Sequence, residues 1–335
     1  MPRRRPLALL ALLAALVLLS AVAALSVGAA DVGFWDAAAV LFDRLLGRPL
    51  PPDLPSVVIL AVRLPRLLAA LVVGAGLAVA GLIFQGLLRN GLAEPFTLGI
   101  SSGAAVGALA TYLLGVSGSV TTPTAAFLGA LATVGLVVMV ARPRIGLETD
   151  AIILAGIIVN ALFSAVMIFL LAISAPNQLH SFFFWLTGNL GAVQLGALGM
   201  VAPVVGAGLV AAAYFGWELN ALAAGEEIAG RVGIRVAQTQ WMLFILGSLL
   251  TAVVVSCSGT IGFIGLVVPH LGRLLWGGSD HRALIWICAL LGGVFTVASD
   301  TLARTLLAPQ ELPIGVITAF VGAPFFIALV WRRAR

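Results

Sequence analysis

Arg63 and Arg66, three residues apart in the stretch Arg-Leu-Pro-Arg, and Arg304, four residues after Asp300, are the side chains in this sequence best suited to recognise another molecule by charge. A guanidinium stays ionised, is planar, and presents a fork of N–H donors that matches a carboxylate. All three lie at the ends of apolar runs, and two readings fit that position. In one, each side chain lays its stem along apolar surface and reaches toward the headgroups, with Asp300 neutralising Arg304 one helical turn away. In the other, the three form a basic rim that receives carboxylates from a soluble partner, with rim charges governing encounter and register.

A second pattern lies in residues 218–240, where glycines at 225, 230 and 233 punctuate short helical pieces with apolar residues at Leu222, Ile228, Val232 and Ile234. A connection needed only to join two helices is usually shorter, so this one is either a docking element or a helix resting on headgroups. A third pattern is a stripe of small, weakly polar residues. Gly156, Asn160 and Ser164 fall at successive i, i+4 positions of an apolar segment, which suits either the wall of a low-affinity conduit or close helix packing. Catalytic patterns are weak by comparison. Gly99, Ser101 and Gly103 spell Gly-x-Ser-x-Gly with His270 available as a base, but that motif works on a strand-to-helix elbow, and here it lies among apolar helical residues. Three scattered histidines make no metal site. The chain contains no lysine, so it lacks the P-loop residue that holds nucleotide phosphates.

The elements that must position these residues follow from composition. With 335 residues, 61% of them hydrophobic and 9% charged, and a mean hydropathy of +1.16, the chain is far too apolar for a soluble domain. It reads as an all-α polytopic membrane protein, one transmembrane domain over residues 1–335 with about ten spans of roughly 20 residues each. Apolar runs place the first helix over Leu7–Ala30, where the run is too long for a signal peptide's core. The others fall near 61–88, 93–116, 120–141, 150–173, 197–217, 238–257, 260–276, 283–303 and 312–331. Residues 31–60, with aspartates and four prolines between Asp31 and Pro55, form an outer loop carrying one amphipathic surface helix. Residues 177–191 remain as a connection whose aromatics either touch a flat macrocycle or anchor the outer interface. Cys257 and Cys288 sit in apolar runs as small hydrophobes.

Arginine placement gives the orientation, because cytoplasmic loops hold the basic excess. Arg3, Arg4, Arg5, Arg89, Arg142, Arg144, Arg231, Arg235, Arg273, Arg282, Arg332, Arg333 and Arg335 fall on the side of both chain ends, which is read as the cytoplasm. Arg44, Arg48, Arg63, Arg66 and Arg304 fall on the other. The basic residues are dispersed over short loops, which argues against a nucleic acid partner.

Four blocks in order carry a resemblance. They are the segment from "RLPRLLAALVVGAG" through "LAEPFTLGISSGAAVGA" at 63–108, "LAAGEEIAGRVGI" at 222–234, "GTIGFIGLVVPHLGRLLWGGSDHR" at 259–282, and "DTLARTLLAPQELPIGVITAFVGAPFF" at 300–326. Together they resemble the permease family of ABC importers for iron siderophores, haem and vitamin B12. Gly91 departs from the family's proline before Leu-Ala-Glu-Pro. The resemblance implies the type II importer fold, a homodimer with its pathway on the twofold axis, two ATP-binding cassette subunits on the cytoplasmic side, and a periplasmic substrate-binding protein above. It implies an inner-membrane location. It further implies that Arg63, Arg66 and Arg304 dock acidic residues of the binding protein, and that Gly225, Glu226, Glu227, Ala229 and Gly233 sit in the groove of the ATPase. Thr149 and Asp150 resemble the cytoplasmic gate, and Gly156, Asn160 and Ser164 are assigned to the pathway. On this reading the chain carries a metal chelate, is itself no enzyme and binds no cofactor, while ATP and magnesium are used by the partner. The competing reading is an ion-coupled secondary transporter, which needs an ionisable group or broken helices near the midplane; the carboxylates all lie near helix ends or in loops.

Overall fold

The computed structural model describes residues 4–28, 32–48, 53–141 and 149–333, and among them every regular element is helical. In chain order the helices are α1 (Arg4–Ser26), α2 (Phe34–Leu45), α3 (Leu54–Val57), α4 (Leu64–Leu87), α5 (Ile100–Leu113), α6 (Thr121–Val140), α7 (Thr149–Ala172) and α8 (Pro176–Leu186). They continue with α9 (Leu195–Tyr214), α10 (Gly216–Ala224), α11 (Glu226–Arg231), α12 (Val236–Ser258), α13 (Ile264–Trp276), α14 (His281–Thr305) and α15 (Ile314–Arg333). Among the described residues seven helical runs are long and apolar enough to cross a bilayer, and three shorter apolar helices, Ile100–Leu113, Ile264–Trp276 and Ile314–Leu329, agree with about ten in all.

The N-terminal third shows how local chemistry sets the boundaries. In α2, the expected amphipathic helix, the Asp36 carboxylate accepts the Gly33 N–H at 3.0 Å, a contact that closes the first turn. Asp53 caps α3, its Oδ1 accepting the Ser56 N–H at 3.0 Å. Pro55 follows inside the first turn, where its missing N–H costs nothing. A π-helical turn, Val58–Arg63, then joins α3 to α4, so a continuous apolar helix runs from Leu54 to Leu87. The span thus begins within the stretch assigned to the outer loop, because Asp53 and Pro55 are helix-starting residues.

The α4 helix is the axis of the protein and is buried on nearly all sides. Glycines let its backbone meet its neighbours: a Cβ on Gly74 would overlap the Gly292 carbonyl of α14, and one on Gly81 would overlap the Gly265 carbonyl of α13. Small residues at crossings are how helices associate where no water is available to drive burial. α5 and α6 pair likewise, with Gly103 and Gly107 set against Gly129 and Ala125.

Three connections fold back into the protein. After α4 the chain turns through Arg89, at φ 48°, and a short 3-10 helix, Pro95–Leu98, before Gly99 at φ 78° starts α5. The span expected at 93–116 is therefore a short helix preceded by irregular backbone. Between α12 and α13 the break at 259–263 contains Phe263 at φ 68°. The aromatic stretch expected as a connection contains most of α8, with Phe182 and Trp185 buried and their rings stacked at 6.1 Å. These segments satisfy one another's polar groups: Asn189 N–H donates to the Ser258 carbonyl at 2.9 Å, Gly315 N–H to the Thr187 carbonyl at 3.0 Å, and the Thr260 hydroxyl to the Leu186 carbonyl. Irregular backbone survives in an apolar bundle only when paired this way.

Replacing Gly81 with Leu is expected to drive a side chain into a backbone carbonyl that cannot move aside, costing about 1–3 kcal/mol or more from overpacking. Gly196, which has open space around it, tolerates Ala. Thermal unfolding of the two detergent-purified variants checks the contrast.

Candidate functional site

The three arginines come together at one end of the bundle, but not as an open rim. Arg63, Arg66 and Arg304 are only 5%, 8% and 9% exposed. Neither snorkelling nor free solvation describes them, because the chain supplies their partners. Arg63 Nη1 donates to the Leu25 and Val32 carbonyls at 2.6 and 3.1 Å. Arg304 Nη2 donates to the Ala24 carbonyl. Ala24 and Leu25 lie in the last turn of α1, whose unpaired carbonyls carry the negative end of the helix dipole. Two cations therefore close α1. Gly28 leaves the room for them, since a Cβ there would meet Arg63 Nη2 at 2.8 Å.

Arg66 holds the carboxylates. Its Nε donates to Asp300 Oδ1 and Oδ2 at 2.8 and 3.0 Å, and its Nη1 donates to Glu311 Oε2 at 2.8 Å. Asp300 thus belongs chiefly to Arg66, 234 residues away in sequence; its approach to Arg304 Nε is 3.8 Å. The i, i+4 pairing expected from the sequence is the weaker one. Arg304 Nε is buried without a hydrogen-bond partner among the described residues. Sequence spacing does not tie Glu311 to this cluster, although it is the one charged residue between Arg304 and Arg332.

The segment around Gly225 lies at the opposite end of α4, about 30 Å away at 1.5 Å per residue from Arg66 to Gln85. Arg273 pairs with Gln85 there, and Arg89 Nη2 lies 3.6 Å from Glu226. Gly225, at φ 129°, joins α10 to α11, and Gly233, at φ 88°, ends the turn before α12. Side chains rarely adopt such angles, so glycine is required at both joints. Glu226 also accepts from Gln240 Nε2 at 3.1 Å, tying α11 to α12. Ala229 is fully buried, on the inward face of α11. Leu222 is buried as well. The outward surface consists of Glu227, paired to Arg231 at 2.6 Å, with Ile228 and Val232 exposed beside it.

On α7 the small-residue stripe divides. Gly156 is buried, and a Cβ there would meet Leu98 at 3.0 Å; Gly99 packs against the Asn160 backbone. That part of the stripe makes a helix contact with the α5 break. Asn160 and Ser164 are half-buried. Thr149 and Asp150 open α7, but their side chains fall outside the described residues. Glu94 lies in the connection before α5, as expected of a carboxylate here, yet that connection folds inward: its Oε1 accepts the Phe263 N–H at 2.8 Å. It ties the α5 break to the α13 start. No group of three or more potential metal ligands occurs among the described residues.

Known proteins resemble this arrangement throughout. The model of a family described as the FecCD transport family matches residues 13–332. The hemin transport system permease protein HmuU of Yersinia pestis is 38% identical over 99% of this chain and 97% of its own length. The cobalamin import system permease protein BtuC of Halobacterium salinarum is 39% identical over 84% of this chain and 75% of its own. A solved structure described as an inward-facing, metal-chelate type ABC transporter superposes with a TM-score of 0.83 at 32% identity, covering 97% of this chain and 99% of that one.

Asp300→Ala is expected to leave Arg66 underpaired in a buried site and to cost about 3–5 kcal/mol. Adding Arg66→Met removes the orphaned charge and recovers part of the loss. Thermal unfolding of both variants in one detergent reads the difference.

Proposed function

The chain belongs to the FecCD transport family, and on that premise we propose that it is the transmembrane subunit of an ATP-driven importer that moves a metal chelate, an iron siderophore, haem or cobalamin, from periplasm to cytoplasm by alternating access. The hemin and cobalamin permeases among its relatives support the chelate class. Two copies of the chain, two ATPase subunits and a substrate-binding protein make up the working assembly, in a bacterial inner membrane with both chain ends cytoplasmic. ATP and magnesium are used by the ATPase, and this chain contributes coupling without chemistry.

The observation that carries this reading is the separation of two unlike contact regions by the length of α4. At one end, guanidiniums are gathered around carboxylates. At the other, α11 is a short helix between two glycine joints, with exposed Glu227, Ile228 and Val232. Arg63, Arg66 and Arg304 receive acidic residues of the binding protein; Glu226 and Glu227, with the two glycines, transmit motion from the ATPase. Burial of the arginines fits that role, because a guanidinium already oriented by carbonyls loses little freedom on binding. Asn160 and Ser164 border the pathway, and Thr149 and Asp150 belong to the cytoplasmic gate.

Reconstituted with its ATPase and binding protein, the permease is expected to accumulate haem, cobalamin or a ferric siderophore in proteoliposomes only with ATP. Uptake driven by an ion gradient without ATP would replace this reading with the ion-coupled one. Within that assembly Glu227→Arg combined with Ile228→Asp is expected to weaken capture of the ATPase at least tenfold in co-purification; unchanged capture and transport would remove the coupling assignment.

A further inference from the structure

Glu311 stands apart from the rest of the arginine cluster. Asp300, the other carboxylate, is sealed: its side chain is 6% exposed and takes both oxygens to Arg66 Nε. Glu311 is 54% exposed and reaches Arg66 through a single contact, Oε2 to Nη1. It is carried on an exposed connection, residues 306–311, between α14 and α15. Arg66 lies beneath, and its Nη1 also borders Gly191, where a Cβ would stand 3.1 Å away. Arg66, Glu311 and Asn189 line a small cavity of about 100 Å³ at this end. The Nη1 edge of Arg66 is therefore already covered by a carboxylate from the chain itself.

We propose that Glu311 is an internal stand-in for a partner's carboxylate, and that an acidic protein docks here by displacing Glu311 from Arg66 Nη1. The inference rests on the docking reading above and specifies where and how the visitor lands. Three features carry it. Glu311 keeps about half of its side chain in water and reaches Arg66 through one contact, so another carboxylate can take its place without uncovering a new charge. Arg66 does not move in the exchange, because Asp300 fixes its Nε side. Among the described residues Arg66 and Arg304 share Asp300, with Arg304 Nε buried and without a hydrogen-bond partner, so loss of Glu311 leaves two guanidiniums on one carboxylate, a positive site that fits another. The exchange swaps one carboxylate for another and breaks no covalent bond.

The charge balance makes the proposal testable. Exchange of like for like creates little net attraction at long range, whereas a permease lacking the Glu311 charge presents one more uncompensated positive charge. In the assembled importer held in lipid nanodiscs, Glu311→Gln is expected to associate with the importer's own substrate-binding protein about three- to tenfold faster at low salt, with the advantage lost at high salt where the Debye length is a few ångströms. Glu311→Asp keeps the charge but shortens the reach by one methylene, and is expected to fall between the two; it supplies the same comparison should Glu311→Gln not assemble. If Glu311→Gln associates no faster than wild type, while converting the acidic contact residues of the binding protein to amides abolishes association, Glu311 is a fixed brace and the exchange is wrong although docking stands. If those amide variants associate normally, the docking reading itself fails.

Discussion

The approach of α4 to α14 at Gly74 and Gly292 determines more of this molecule than any other contact. With no Cβ on either side, the two backbones come within reach of each other's carbonyls, and an apolar bundle gains its cohesion from such contacts because lipid offers no hydrophobic drive. The same crossing aligns the outer turns of both helices. Arg66 on α4 then meets Asp300 on α14, and Arg304, one turn further along, turns toward the end of α1. Toward the other end, Gly81 against Gly265 brings α13 onto α4 and places Arg273 beside Gln85. One helix, packed through glycines, thus holds both candidate contact regions in a fixed relation.

The arginine cluster shows how charge is tolerated in such surroundings. A buried guanidinium needs a counter-charge or aligned dipoles, and here it finds both. Asp300 neutralises Arg66, while the final carbonyls of α1, together with the Val32 carbonyl, accept from Arg63 and Arg304. The arrangement gives the first helix a defined end and holds the three cations already oriented. The Glu311 contact is the part of the network that faces solvent.

The breaks at 88–99, 187–194 and 259–263 follow a related rule. Each would expose unpaired backbone if it faced hydrocarbon. They converge instead, so that Glu94 meets Phe263, Asn189 meets Ser258 and Thr187 meets Gly315. The left-handed Phe263 is a strained conformation for a bulky residue, held by the Glu94 contact and by Gly322, which leaves room for its ring. The short helices α5 and α13 begin at these joints.

Much of this was legible in the residues themselves. Apolar runs and their lengths fixed the class and the number of spans, because a bilayer admits few alternatives. Gly225 and Gly233 announced joints in the α10–α11 segment, since only glycine occupies their angles without strain. The arginines at 63, 66 and 304 declared themselves by being basic on the sparsely basic side. Partnership was not legible. Sequence spacing paired Asp300 with its neighbour Arg304, whereas the fold gave it to Arg66; the amphipathic pattern at 222–234 did not reveal that Leu222 and Ala229 turn inward while Ile228 and Val232 turn out. Local periodicity records which residues avoid water, but an apolar bundle has little water to avoid. Which polar group answers which is decided by helices brought together across more than two hundred residues, and that information exists only once the chain has packed.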